Sequence, residues 1–354
     1  MRYQKRHPLW PGAPLALGSA MLFGASAPLS KLLIGSVDPW LLAGILYLGA
    51  GGGLAIVHWG RPLIGLPSPE ARLQRTDLPW LAAVVLFGGL LGPLLLMLGL
   101  ARTSAASGSL LLNLEGLATM TIAWVVFREN VDRRLLLGAA AILAGAVLLS
   151  WSGGGFTLDM GGLFIVGACL CWGIDNNLTR KLSAADPVQI AMIKGLVAGS
   201  MNLVLALALG AALPGAALIA SGALVGFLGV GVSLVMFMLA LRHLGTARTG
   251  AYFSLAPFIG ALLAIVLLRE ALTVQLAAAA VLMAIGLWLH LTERHVHDHL
   301  HDALGHDHLH VHDEHHQHDH NGQVTEPHAH WHRHAPLRHA HPHYPDLHHR
   351  HNHS

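Results

Sequence analysis

Ten apolar runs of 18 to 26 residues, at 13–33, 39–58, 79–100, 105–127, 134–151, 160–178, 188–209, 216–241, 247–268 and 273–291, constrain this chain more than any other feature. A bilayer core about 30 Å thick takes about 20 apolar residues of helix, and backbone groups in lipid have to be satisfied within the segment that carries them. The runs therefore read as ten membrane-spanning helices joined by short connections, so that neighbours in sequence are antiparallel. Composition agrees: only 11% of the 354 residues are charged, against about 25% in a soluble domain. The basic stretch Met1–Pro11 precedes a long apolar run followed by nine more, which reads as a first span rather than a cleaved signal peptide.

All but four of the 27 histidines (His7, His58, His243 and His290) lie from His295 onward. The membrane body thus ends with the last apolar run, and 293–354 is a polar, His-rich, low-complexity tail without apolar runs to build a core; it is expected to be disordered. Cys169 and Cys171 sit two apart on an expected helix and face different ways, which argues for packing residues rather than a disulfide or metal pair.

Orientation follows from lysine and arginine, which accumulate in cytoplasmic loops. Placing the N-terminus in the cytoplasm puts Arg2, Lys5, Arg6, Arg61, Arg72, Arg75, Arg128, Arg133, Arg134, Arg180, Lys181, Arg242, Arg248 and Arg294 on that side. Lys31, Arg102 and Arg269 remain near span ends on the other. Both termini, and with them the tail, are expected in the cytoplasm, and the chain in the inner or plasma membrane.

The body contains a repeat. Gly18-Ser-Ala-Met-Leu-Phe-Gly24 with Leu29-Ser-Lys31 matches Gly167-Ala-Cys-Leu-Cys-Trp-Gly173 with Leu178-Thr-Arg180, and Leu100-Ala-Arg102 with Phe127-Arg-Glu129 matches Leu241-Arg-His243 with Leu268-Arg-Glu270. Five spans per half is an odd number, so the halves, 13–151 and 160–292, cross the membrane in opposite senses. Such inverted repeats are typical of alternating-access carriers, whose site lies near the midplane between the halves.

Ten spans, two five-helix halves, and fourth spans closing on Phe127-Arg-Glu129 and Leu268-Arg-Glu270 resemble the drug/metabolite transporter superfamily, EamA branch. The resemblance covers 13–292 and omits the tail. It implies a transporter with a central cavity lined by both halves. Many members carry a proline midway along the fourth span of each repeat; this chain has Ser254-Leu-Ala-Pro257 in the second but Asn113-Leu-Glu-Gly116 in the first. An acid stands where an apolar kink is usual, so substrates of other members do not carry over.

Polar residues inside spans point to the site. Glu115 falls about 15 Å from either face at 1.5 Å per residue, where a charged side chain costs at least about 3 kcal/mol. A carboxyl group in low dielectric can exchange a proton during a transport cycle, which suits substrate binding or coupling; the alternative is an acid held structurally between helices. Trp172, Asp175, Asn176 and Thr179 are spaced i, i+3, i+4, i+7 on one helical stripe, a candidate cavity lining, the alternative being a solvated helix end with Asp175 paired to Arg180. Lys194 is shallow enough to snorkel, or it is the partner of Glu115 or Asp175, or it holds a substrate carboxylate. Asn202 extends its stripe, Asn113 reads as interhelical glue, and Tyr252 and Ser254 are further candidates. Lys31 is expected to snorkel outward, and Pro93 to kink the third span.

In the tail, His295, His297 and His299, His306, His308 and His310, and His328, His330, His332 and His334 alternate with other residues, so each set falls on one side of an extended chain. Imidazoles so placed bind Zn, Ni or Co. The body lacks an intramembrane histidine cluster or a ladder of acids to pass a naked cation. Three functions are open: a carrier, expected to be a proton-coupled exporter, of a small polar metabolite; a divalent-metal carrier whose tail gathers or senses the ion; and a membrane-bound metal store or sensor. No nucleophile–base pair, phosphate loop or HExxH spacing appears, so no catalysis and no required cofactor are expected. Lipid, a small-molecule substrate and metal ions are the expected partners, nucleic acid is not, and the chain is monomer or homodimer.

Overall fold

The structure is a computed structural model that describes residues 12–63, 73–127, 133–152, 155–156, 159–179, 182, 186–291 and, in the tail, 295–301, 305–310, 328–333 and 337–343. The membrane body is helical: α1 (Gly12–Ile34), α2 (Pro39–Leu63), α3 (Leu78–Val84), α4 (Gly92–Leu100), α5 (Ala105–Leu111), α6 (Asn113–Phe127), α7 (Arg133–Leu149), α8 (Met160–Thr179), α9 (Pro187–Ala208), α10 (Ala216–Gly226), α11 (Ser233–Phe253), α12 (Ala256–Leu267) and α13 (Val274–Leu291). Seven of the described helical stretches are long and apolar enough to cross a membrane by length and composition. Outside the helices, β1 (Trp151–Ser152) and β2 (Gly155–Phe156) form a small hairpin between α7 and α8.

The third and eighth spans are each built from two α-helices joined by one wide π turn, Val85–Leu91 and Phe227–Val232. The expected kink at Pro93 therefore takes the form of a π-bulge one turn earlier, where the missing proline N–H loosens the ladder. The equivalent π segment in the second half has no proline; Gly229 and Gly231 supply the close approach there instead. The fourth span breaks at Leu112, and α11 gives way to α12 at Ser254–Leu255.

One expected boundary moves. Helix α11 runs through Leu241–Ala247, where a turn between the eighth and ninth spans was expected. In the first half the matching turn ends at Ser104, whose side chain caps α5 by accepting from Ser107 N at 3.1 Å; by the repeat, Gly245 stands there and has no side chain to cap with.

The halves interlock rather than lie side by side. Helix α1 packs chiefly on α11 and α12, α2 on α9 and α10, α7 on α13, and α8 on α4 and α6, whereas α1 and α2 touch little. Asp38 and Asp186, each followed by proline, cap α2 and α9 in the same way, Asp38 Oδ1 accepting from Trp40 N at 2.9 Å and Asp186 Oδ1 from Val188 N at 2.9 Å. Where α2 crosses α9, a Cβ placed on Gly195 would lie 2.6 Å from Gly51 N. Small residues at this crossing let two backbones meet, the usual device where lipid supplies no hydrophobic drive between helices.

Lys31 does not snorkel. Its Nζ turns inward and donates to the carbonyls of Leu100 and Thr103 at the end of α4. Just beyond, Glu270 accepts from the amides of Ala105 and Ala106 at 2.7 and 2.8 Å. The carbonyl end of one helix and the amide end of the next each offer unpaired groups and a partial charge, and a cation and an anion from distant spans satisfy them.

In the tail only the backbone is described. Strand β3 (His295–His301) pairs antiparallel with β6 (Leu337–His343), and β4 (Gly305–His310) with β5 (His328–Arg333). The register sets His295, His297 and His299 opposite His343, His341 and His339, and His306, His308 and His310 opposite His332, His330 and His328.

Candidate functional site

The polar side chains of the body gather where α6, α8, α9 and the π segment Val85–Leu91 meet. Asp175, on α8, forms an ion pair with Lys194 of α9 at 2.5 Å, and both are largely shielded, with side-chain exposures of 7% and 12%. Thr179 Oγ1 lies 3.4 Å from Asp175 Oδ1, one turn along the same helix. On the next face, Asn176 Nδ2 donates to Glu115 Oε1 at 3.0 Å and to Thr119 Oγ1 at 3.2 Å. Glu115 is half-buried and sits in the first turn of α6. It therefore lies at the positive end of a half-helix rather than midway along an unbroken span.

The stripe Trp172, Asp175, Asn176 and Thr179 thus divides: Asp175 and Thr179 turn toward Lys194, Asn176 toward Glu115, and Trp172 donates through Nε1 to Gly88 O at 3.1 Å. Arg180 lies outside the described residues. Of the two partners expected for Lys194, Asp175 is the one it meets.

Gly88 shows why the π segment matters. Its carbonyl accepts from Trp172 and also from Tyr47 Oη at 2.9 Å. A Cβ at this position would run into the Asp175 carboxylate, so only glycine lets the third span come this close. By the repeat, Gly229 is its counterpart; a Cβ there would lie 2.7 Å from Ser26 Cβ, and Ser26 stands where Asp175 stands in the other half. Likewise Phe23 is the counterpart of Trp172, and the two meet edge to face at 6.4 Å. Phe253 packs on Phe23 at 5.3 Å and Phe237 on Phe253 at 4.8 Å, forming an apolar wall beside the charges. The scaffold is symmetric, but its chemistry is not.

Other candidates stand apart. Asn113 Nδ2 donates to Leu110 O at 2.8 Å, with Met283 Sδ at 3.7 Å, bridging the Leu112 break more than joining helices. Asn202 is fully buried, its Nδ2 3.4 Å from Leu90 O, away from the ion pair. Tyr252 lies half-buried on α11, and it is its neighbour Phe253 that reaches the aromatic wall. Cys169 and Cys171 are free and buried. His334 lies outside the described residues, and the other tail histidines are placed by backbone register alone. Among the described residues no three His, Cys, Asp or Glu side chains come together to hold a metal ion.

Sequence reasoning missed Tyr47, Phe23, Phe237 and Phe253, whereas the close approach expected of the glycines at 88–92 is found at Gly88. The available signal was Tyr47, a phenol in the middle of an apolar span, because a buried hydroxyl seeks a partner.

Two interlocked bundles crossing the bilayer, with interrupted helices bringing charged groups together at their junction, define a membrane carrier of the inverted-repeat kind. The chain matches the EamA-like transporter family over residues 10–151 and again over 159–292, and belongs to that family. An uncharacterized transporter of Methanothermobacter thermautotrophicus is 28% identical over 302 residues, covering 81% of this chain and 87% of that protein. A probable 4-amino-4-deoxy-L-arabinose-phosphoundecaprenol flippase subunit, ArnE, of Pseudomonas aeruginosa is 41% identical over 115 residues, 32% of this chain and 95% of its own. One solved crystal structure superimposes with a TM-score of 0.58 at 20% identity, covering 78% of this chain and 94% of that one, and speaks for the fold alone. The protein is a multi-pass membrane transporter.

Proposed function

We propose that this transporter is a proton-coupled exporter of a small polar metabolite, working from the cytoplasmic membrane with both termini in the cytoplasm. The observation that carries the reading is the shielded Asp175–Lys194 pair, 2.5 Å apart, next along α8 to Asn176, whose side-chain amide is the one described side-chain partner of the Glu115 carboxyl group, at 3.0 Å. A bound ammonium would compete with Lys194 for Asp175, and a bound carboxylate or phosphate would compete with Asp175 for Lys194. Glu115 is the proton-exchanging group, because its contact with Asn176 serves either protonation state. An amine-bearing headgroup, such as the aminoarabinose named for the ArnE relatives, would meet the same acids.

Everted vesicles holding the full chain, Glu115→Gln or a 1–294 truncation, energised with a proton gradient and offered a panel of labelled metabolites, test this. The full chain and the truncation accumulate a substrate, and Glu115→Gln does not. Equal gradient-driven uptake by Glu115→Gln would overturn the coupling role. Reporter fusions at residue 354 that are active only in the cytoplasm check the orientation.

A second reading, divalent-metal transport assisted by the tail, is favoured by one observation: the backbone register that sets three histidines opposite three others in each tail ladder. Zn, Ni or Co bound there fits imidazole chemistry. Cells expressing the full chain would then tolerate one of these metals differently, and the truncation would erase the difference. A third, a metal store or sensor, predicts metal binding by the tail and no vesicle uptake of any solute.

A further inference from the structure

Helices α7 and α8 follow one another in sequence yet scarcely touch: α7 leans on α13, and α8 on α4 and α6. Between them lies a cavity of about 360 Å³ floored by Leu111, Leu114, Ala118 and Cys169. Its rim residues Leu143, Val147 and Leu170 are exposed (52%, 38% and 51%), so it opens sideways onto the surface that meets hydrocarbon. At the end where α7 stops and α8 begins, a second cavity of about 130 Å³ adjoins it, and the two share Leu111, Ser150 and Gly162. This smaller space is lined by Thr103, Ser107, Ser150, Trp151 and Asp159, and Asp159 is the one charged residue among its described lining. Trp151, 53% exposed, stands at its edge, as aromatic residues do at a membrane boundary.

An apolar trough within the hydrocarbon, ending in a pocket of hydroxyls and one acid at the boundary, has the profile of a lipid seen from chain to headgroup. We propose that this paired cavity is a binding site for a phospholipid with an ammonium headgroup, of the phosphatidylethanolamine class. One acyl chain lies between α7 and α8, and the ammonium sits at Asp159. The acid and the absence of any basic residue from the described lining set the headgroup preference. Asp159 already spends Oδ1 on the start of α8, accepting from Gly162 N at 2.6 Å, which holds its carboxyl group in place beside the pocket. The site is separate from the Glu115–Asn176 and Asp175–Lys194 contacts, and it does not depend on what the transporter carries.

The test counts bound lipid. The full chain is placed in nanodiscs with equal phosphatidylethanolamine and phosphatidylglycerol, extracted gently, and its retained lipids weighed by native mass spectrometry. The ethanolamine lipid is expected in about tenfold preference, the ratio a difference of about 1.4 kcal/mol gives. Asp159→Asn, which still caps a helix, brings the ratio near unity. Val147→Trp, built on an exposed position where the larger ring need not enter the core, lowers retention of both lipids, with helix content by circular dichroism matching the parent. Equal retention of the two lipids by the parent, an unchanged ratio in Asp159→Asn, or unchanged retention in a folded Val147→Trp would each overturn the site. Because no outcome depends on transport, failure here would leave the carrier reading standing.

Discussion

Asp175 and Lys194 hold each other in a place largely shielded from water. Removing one partner of a shielded pair costs about 3–5 kcal/mol, because the survivor keeps its charge without compensation, whereas neutralising both can be close to neutral. Lys194→Ala is therefore expected to lose thermal stability sharply in detergent, and Lys194→Met with Asp175→Asn to regain most of it; a double variant as unstable as the single one would count against the pair as the cause. Gly88→Ala drives a methyl group toward the Asp175 carboxylate and should abolish transport in vesicles while the protein still runs as a folded species on gel filtration. Glu115, Asp175 and Lys194 were legible in the sequence because an ionisable residue in a span is costly enough to need a reason. Tyr47 and Phe23 were not, since each looks at home in an apolar run; the Gly88 carbonyl that Tyr47 and Trp172 share lies 41 and 84 residues from them.

At the scale of elements, hydropathy placed the spans well because length and apolarity are local properties. It could not place interruptions within them. The π turns at Val85–Leu91 and Phe227–Val232 and the break at Leu112 leave no trace in composition beyond a few glycines and one proline. The failed turn at Leu241–Ala247 shows the same limit: where Ser104 caps α5 in the first half, the second half has Gly245. Ser104→Ala is expected to cost about 1 kcal/mol and to blur the start of α5, read as faster amide exchange at Ser107. Glu270→Ala removes two charge-assisted bonds from the same helix start, each worth about 1.5–3 kcal/mol, and should make a cysteine introduced at Ala105, buried at 0% exposure in the parent, reactive to water-soluble maleimide.

For the whole molecule, the repeat was legible as sequence, but its interlocking was not, since which half packs on which is a matter of tertiary contact. The tail lies outside the repeat, and removing it is expected to leave vesicle transport within about twofold while abolishing Ni or Zn binding in equilibrium dialysis at neutral pH, where imidazole is a good ligand. The interlocking carries a prediction of its own. Expressed alone, residues 1–158 should be degraded, and co-expression of 159–354 should rescue them as a complex that co-purifies.

The reason lies in the pairing of Glu270 with Ala105 and Ala106. On the ribosome, those two amides are made 165 and 164 residues before the carboxylate that receives them. The first half therefore enters the bilayer with the start of its fourth span unfinished, its buried N–H groups awaiting an acid from near the last span to be synthesised. Assembly of this transporter is complete only when its end has closed its middle.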